Sequence, residues 1–309
     1  MKAAAYLRLA RIGEWTKNLF VFPALLASGK TAEPESIFAS LIAFFAFSFT
    51  ASGVYCINDA LDWRSDRRHP VKRKRPIASG LLTPTDGYVA GAVWIAAGLV
   101  LSFTTGWWHL AMVLAAYISL QTLYNALLKR IATVDVIALS MGFVLRAWAG
   151  AAAIEVTASL WLLATVFCVC LYLAMIKRLC DLSSVRGEGG GGEEAWHAAA
   201  GYQSVEELNW MLAVSAACSV MTFLMYALSS HATAEAGPGV HGLALLTPLV
   251  IIGMFRFYRA ALRGISDSPF AIVTRDGVVI ACSVVFAVSA TALLTIKPLG
   301  EAIDAFFGF

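Results

Sequence analysis

Between two long apolar stretches the chain carries Asn58, Asp59, Asp62 and Asp66, and then a basic run through Arg67, Arg68, Lys72, Arg73, Lys74 and Arg75. From Asn58 to Gly80 there are three carboxylates and seven Lys/Arg, in a protein that is 59% hydrophobic and 14% charged. Asp59, Asp62 and Asp66 are spaced i, i+3, i+7, while Asn58, Asp62 and Asp66 are spaced i, i+4, i+8. On a helix either set forms one stripe. Like charges on one stripe repel, so a cation is expected among them. An oxygen-only donor set suits a hard ion, Mg²⁺ or Ca²⁺, better than zinc. Asn58, Asp59, Asp62 and Asp66 are therefore the candidate ligands of such an ion. The basic run suits what such an ion commonly carries, a polyphosphate. A loop that only sets membrane topology would need the Lys and Arg but not the aspartates.

The elements that hold these residues read as membrane spans. The composition of the 309 residues excludes an ordinary soluble enzyme. The expected fold class is all-α: a polytopic membrane protein, one domain over residues 1–309, built as a single bundle of nine transmembrane helices with a cytoplasmic polar cap. The nine apolar stretches are 15–29, 37–57, 87–106, 109–128, 134–154, 159–177, 208–229, 242–262 and 277–296. The first is short and contains Pro23, a kink signal. With the N-terminus inside, the loops after the even-numbered helices are cytoplasmic. Of the 23 Lys and Arg, only Lys30 and Lys297 then fall elsewhere, apart from Arg146 within a span. The positive-inside rule gives a multi-pass protein of the cell's inner (plasma) membrane, with N-terminus and site cytoplasmic and C-terminus outside. Arg8 and Arg11 interrupt any signal-peptide core. The six cysteines lie in or beside apolar segments without metal-like spacing and read as small core residues.

Three more expected cytoplasmic loops are polar. Tyr124 to Lys129-Arg130 is followed by Asp135; Lys177-Arg178-Leu-Cys-Asp181 precedes a Gly-rich stretch with Glu188, Glu193 and Glu194. Arg256, Arg259, Arg263, Asp267, Pro269, Arg275 and Asp276 surround the last loop. Together they would cap the bundle where a water-soluble phosphate meets a lipid. Arg146 sits deep in an apolar stretch, where a cation is expensive and faces the bundle interior with a partner. Two roles stay open for it: tying helices through backbone carbonyls or Asp135, or touching a substrate phosphate.

The pattern Asn58-Asp59-x-x-Asp62-x-x-x-Asp66-x-x-His69-Pro70-x-Lys72-x-x-Arg75-Pro76-Ile-x-x-Gly80 closely resembles the first signature of the UbiA superfamily of intramembrane prenyltransferases. Members that prenylate aromatic rings carry a second DxxxD after the sixth helix. Here Asp181 is followed at i+4 by Val185, and Lys177-Arg178-x-x-Asp181 stands in its place. This is similar to the branch that makes polyprenyl-phosphate phosphoribose. Arg11-x-x-x-Trp15-x-Lys17-Asn18, the stretch from Asp135 through Gly142-Phe-Val-Leu-Arg146 to Gly150, and Pro269 to Asp276 point the same way. Two positions depart from it: no proline precedes Trp15, and Asp181 stands where that branch carries Glu.

The resemblance implies transfer of phosphoribose from 5-phosphoribosyl 1-diphosphate to a polyprenyl phosphate, with diphosphate released. Asp62 and Asp66, with Asn58 or Asp59, would hold Mg²⁺ and the diphosphate. Lys72, Arg75 and Arg68 would bear the remaining charge, Lys72 being counted with Asp62 and Asp66 as catalytic. Lys177 and Arg178, beside Asp181, would suit the separate 5-phosphate. Lys17 and Lys129 would screen the lipid phosphate, and Asn18, Tyr124 and Arg146 complete the substrate-binding set. The partners are thus the two substrates and the membrane; nucleic acid is not expected, and a homo-oligomer stays open. Two rivals are a conventional prenyltransferase acting on an aromatic acceptor and a transporter for a phosphorylated lipid or anion. The missing second carboxylate pair speaks against the first. The concentration of charge at one face speaks against the second.

Overall fold

The structure is a computed structural model that describes residues 2–69, 71–104, 108–187, 202, 205–262 and 276–308, the side chains at 181–187, 205 and 307 excepted. Pro70, Glu188, Glu193, Glu194, Arg263, Asp267, Pro269 and Arg275 lie outside the described residues, as does the side chain of Asp181. Among the described residues all regular structure is helical. The chain runs α1 Lys2–Leu9, a 3₁₀ segment Ile12–Val21, α2 Pro23–Ala27, α3 Pro34–Leu61, α4 Trp63–Asp66, α5 Pro84–Phe103, α6 Trp108–Ala126 and α7 Val134–Ala153. It continues as α8 Leu160–Gly187, α9 Val205–Ala227, α10 Ser230–Ala236, α11 Thr247–Leu262, α12 Gly277–Thr295 and α13 Lys297–Phe307. Seven helical stretches among the described residues are long and apolar enough to cross a membrane, so the protein is a multi-pass membrane protein.

Two expected spans look different. Residues 15–29 are not one helix: a 3₁₀ segment ends at Val21 and a new five-residue helix starts on Pro23. Proline lacks the N–H that would continue the ladder and is tolerated at a first helical position. The expected span 109–128 is helical as α6, but His109, Gln121 and Asn125 dilute its apolar run, and it is not among the seven. The span expected over 159–177 continues as α8 to Gly187, so Lys177 and Arg178, expected at its end, stand within the helix.

The chain forms two compact units. One comprises Met1–Leu25, Glu33–Ala126 and Leu145–Thr157. Its centre is the α3/α5 pair. α5 is started by a capping box: the Thr83 hydroxyl accepts from the Asp86 N–H at 3.1 Å, and the Asp86 carboxylate accepts from the Thr83 N–H at 2.8 Å. Glycines let the two helices touch. A Cβ at Gly98 would lie 2.3 Å from Thr50 Oγ1, and one at Gly53 would lie 2.7 Å from the Gly91 carbonyl. In lipid, where apolar side chains gain little from leaving the solvent, such close backbone approach supplies the attraction. Phe47, Leu110, Leu114 and Tyr117 fill the core beside Leu145 and Ala149.

The other unit comprises Leu26–Ala32, Leu127–Val144 and Ala158–Phe309. α8, α9 and α11 close around Tyr172, Met175, Ile176, Leu208, Leu212 and Ala261. The amphipathic α13 is fastened by Asp304, which accepts from the Gly239 N–H at 3.0 Å and lies 3.3 Å from His241 Nδ1. Asp276 caps α12 by accepting from the N–H groups of Val278 and Val279, and it pairs with Arg256 at 2.9 Å. Burial works against its charge, yet the Val279 N–H and Arg256 outweigh it and hold the carboxyl below the usual range. Asp276→Ala is expected to cost about 1 kcal/mol of stability at neutral pH, the usual value of an N-cap. Because the folded-state pKa is depressed, that advantage is present above the ordinary carboxylate pKa and is lost as pH falls through the folded value. Thermal unfolding of the two proteins at pH 7 and in acid checks it: the gap should close in acid.

Candidate active site

The carboxylate stripe forms at the end of α3. Asp62 leaves the helix (φ −90°, ψ 3°), yet its N–H still donates to the Asn58 carbonyl at 2.9 Å, and the Asp66 N–H donates to the Asp62 carbonyl at 2.9 Å. The i, i+4, i+8 register of Asn58, Asp62 and Asp66 therefore survives the break. His69 then turns the chain: its Nδ1 accepts from the N–H groups of Val71 and Lys72 at 3.1 and 3.3 Å. The basic run leaves the stripe and returns at Arg75.

The like charges are met by arginines. One nitrogen of Arg75, Nη1, donates to Asp66 Oδ2 at 2.7 Å and to Asp59 Oδ1 at 3.1 Å. Asp59 also takes Arg11 Nη2 at 2.5 Å. Both aspartates are only 3% exposed, so they need these partners. Arg11 is aimed by an unusual backbone: its φ of 50° is in the left-handed region, where the chain turns from α1 into the 3₁₀ segment. Its guanidinium also lies 4.9 Å from the Tyr55 ring centre. Asn58 donates to Asn125 Oδ1 at 2.9 Å, which fixes its side-chain oxygen relative to the stripe. Asp62 is half-buried, and Arg68 and Lys72 are exposed.

A second polar network lies within the same unit. Arg146 is 4% exposed and donates through Nε to Asn18 Oδ1 at 2.7 Å and through Nη2 to the Tyr117 hydroxyl at 3.4 Å. Its guanidinium sits 4.9 and 5.1 Å from the ring centres of Phe47 and Tyr117. Asn18 in turn donates to Ser48 Oγ at 2.9 Å, and Trp15 donates to Ser52 Oγ at 3.0 Å. Of the two roles left open for Arg146, the observed contacts are those of a tie. They run through side chains of the 3₁₀ segment and α6. Lys17, on that segment, pairs with Glu14 and stays half-exposed.

In the other unit Asp135 accepts from Arg178 Nη2 at 2.5 Å and from the Tyr202 hydroxyl at 3.0 Å. The Tyr202 oxygen accepts from the Thr133 N–H at 3.0 Å, at a residue with φ of 67°. Burial, and then the Asp135 charge, push the Tyr202 phenol up to about 12, so it stays a donor at neutral pH. Lys177 and Lys129 are exposed, and Tyr124 is half-buried at the end of α6. Sequence reasoning missed Arg11, Asn125, Tyr117, Ser48 and Tyr202. Arg11 stood within a stretch already singled out, but no local spacing links it to Asp59, 48 residues on.

The stripe fits a hard cation. Asp59 and Asp66 already converge on one cationic nitrogen, and every donor is oxygen. Among the described residues no three His, Cys, Asp or Glu side chains are grouped to hold a metal. An ion here would complete its shell with Asn58, water or phosphate oxygens, as Mg²⁺ commonly does.

Fold and site together define an all-helical, multi-pass membrane protein with an aspartate–arginine cluster at the end of α3. The model of the UbiA prenyltransferase family matches residues 19–272, and the chain belongs to that family. It is 38% identical over 183 residues to the decaprenyl-phosphate phosphoribosyltransferase of Mycolicibacterium smegmatis, a match spanning 57% of this chain and 56% of that protein. With the protein of the same name from Corynebacterium glutamicum it shares 34% identity over 241 residues, 76% of this chain and 71% of that one. Its fold is similar to that of a UbiA homolog from Archaeoglobus fulgidus bound to GPP and Mg²⁺, with a TM-score of 0.65 at 16% identity, over 94% of this chain and 99% of that one.

Proposed function

We propose that the protein transfers phosphoribose from 5-phosphoribosyl 1-diphosphate to a polyprenyl phosphate. The observation that carries this reading is the pair Lys177-Arg178 on α8, where a prenyltransferase would need a second carboxylate pair for the second metal ion on its prenyl diphosphate. The donor needs one metal-bound diphosphate and one separate phosphate, and cations suit the latter. Arg178 donates to Asp135, which also accepts from Tyr202, and Lys177 beside it is exposed; both cations would face the 5-phosphate. The names of the Mycolicibacterium and Corynebacterium relatives support the same reaction.

In the reaction an oxygen of the lipid phosphate forms a bond to the anomeric carbon, and the carbon–oxygen bond to diphosphate breaks, the electron pair leaving with diphosphate. Asp62 and Asp66, with Asn58, would hold Mg²⁺, which when bound neutralises the departing diphosphate. Asp59, buried between Arg11 and Arg75, would position those arginines rather than ligate. Arg75, Lys72 and Arg68 would take the remaining diphosphate charge. The acceptor is already anionic, so no strong general base is required. Its charge would be screened by Lys17 and Lys129, with Tyr124 and Asn18 beside the substrates and Asp181 following the α8 cations.

For topology we propose a nine-pass bundle in the plasma membrane, with N-terminus and site cytoplasmic, a polar cap over the site and the C-terminus outside. A ten-residue 3₁₀ segment rises about 2 Å per residue, so with α2 it can reach nearly the ~30 Å of a hydrocarbon core. α6 would be the ninth pass. The deciding assay offers purified protein labelled 5-phosphoribosyl 1-diphosphate or labelled prenyl diphosphate, with polyprenyl phosphate and an aromatic acid as acceptors. Label from the first donor should enter the lipid fraction. Incorporation from prenyl diphosphate alone would overturn the reading in favour of a conventional prenyltransferase.

A further inference from the structure

Arg75 bridges the two buried aspartates unequally. Asp59 has a second cation, Arg11 at 2.5 Å, and keeps it if Arg75 moves. Asp66, with a side chain 5% exposed, holds Arg75 at 2.7 Å as its ion-pair partner. Arg75 itself is 30% exposed and stands just past the short 3₁₀ turn Lys72–Lys74, so its long side chain enters the cluster from the open side. A carboxylate this buried is costly to leave unpaired. The oxygen it gives to Arg75 is also an oxygen that a hard ion would approach to about 2.1 Å. Two cations at one buried carboxylate repel each other, so a divalent ion and the guanidinium compete for Asp66.

From this asymmetry we infer that Arg75 is the internal counter-ion that a divalent cation must displace from Asp66, and that the substrate's diphosphate is what receives the displaced guanidinium. The inference rests on the metal and diphosphate assignment above and deepens it. Metal entry alone would strand Arg75 beside a newly arrived positive ion; diphosphate entry alone would strip Asp66 of its partner. Arriving together, the ion takes Asp66, the arginine takes a diphosphate oxygen with its planar donor fork, and Asp59 stays neutralised by Arg11. Metal and diphosphate thereby strengthen each other's binding, and linkage makes that coupling reciprocal. Arg75 would then act as the residue that keeps the site from filling with metal in the absence of donor.

The test measures Mn²⁺ binding to the full-length, detergent-solubilised protein by electron paramagnetic resonance, without any phosphate compound. Arg75→Gln should bind Mn²⁺ about tenfold more tightly than the wild type, within the usual range of site-to-site coupling, while its transferase activity falls. Affinity equal to or weaker than the wild type's overturns the inference. If Arg75→Gln does not fold, Arg75→Met is read instead: it too removes the cation, so Mn²⁺ should again bind more tightly than to the wild type, and no tightening is again a refutation. Asp66→Asn is the site control. If it leaves Mn²⁺ binding unchanged, the ion does not sit on the stripe and the exchange is wrong. A donor assay that favours prenyl diphosphate would overturn the proposed reaction and leave the exchange standing, because either donor brings a diphosphate.

Discussion

Asp62→Ala is expected to abolish transfer while leaving the fold intact. Asp62 is half-buried; its backbone N–H donates to Asn58, and its carbonyl accepts from Asp66 N–H and from Ser65 Oγ at 2.8 Å. Alanine keeps all three. What it removes is a carboxylate at the centre of the i, i+4, i+8 register, between Asn58 and Asp66. Disturbing a mere outer partner of a metal ligand commonly costs about 10–100-fold, so loss of a ligand should depress turnover beyond that. Initial rates of lipid labelling, with a melting temperature close to the wild type's as the folding control, make the measurement. Turnover near the wild-type rate would remove Asp62 from the chemistry. Asp59→Asn should behave differently. It leaves Arg11 and Arg75 with a weaker acceptor in a buried setting, so stability and activity fall together.

The largest effect on stability is expected at Arg146. Arg146→Met keeps an apolar stem of similar length but strips Asn18 Oδ1 of its donor and removes the cation over Phe47 and Tyr117. An unsatisfied buried polar group costs about 1–3 kcal/mol, and a desolvated cation–π contact about 2 kcal/mol. The variant should therefore lose about 3–5 kcal/mol, read as a fall in melting temperature in detergent. Packing leaves the 3₁₀ segment little room to compensate. A Cβ at Gly150, one turn further along α7, would lie 1.9 Å from the Val21 carbonyl, so the segment's backbone rests directly on that helix. Because the segment also carries Trp15 and Lys17 and follows directly on Arg11, activity should fall with stability. Arg146→Lys should restore charge but not the planar set of donors, and so rescue only part of the loss. A melting temperature unchanged in Arg146→Met would refute the tie and return Arg146 to a substrate role.

Much of this molecule is written locally. The aspartate stripe needed only the 3.6-residue period, and the structure keeps that period even where Asp62 leaves the helix. The apolar runs marked seven helical stretches as membrane crossings because spanning length is set by bilayer thickness and rise per residue. Pro23 announced the break in 15–29, although not that the residues before it would wind as 3₁₀. Lys177 and Arg178 were legible as cations at a helix end, but the length by which α8 runs on past them was not, since no apolar residue pattern marks it. A hard cation was expected among the aspartates; the cation that reaches Asp59 and Asp66 here is Arg75, which no local spacing announces.

The sequence by itself determined the class of protein, the spacing of its aspartates and its likeness to one family, because each follows from covalent order and local period. The tertiary structure alone decided which charges meet. Arg11 reaches Asp59 across 48 residues, Arg146 reaches Asn18 across 128, and Tyr202 closes on Asp135 across 67. No periodicity encodes such pairs. They exist because burying a charge in an apolar bundle is affordable only where the fold brings another group to meet it.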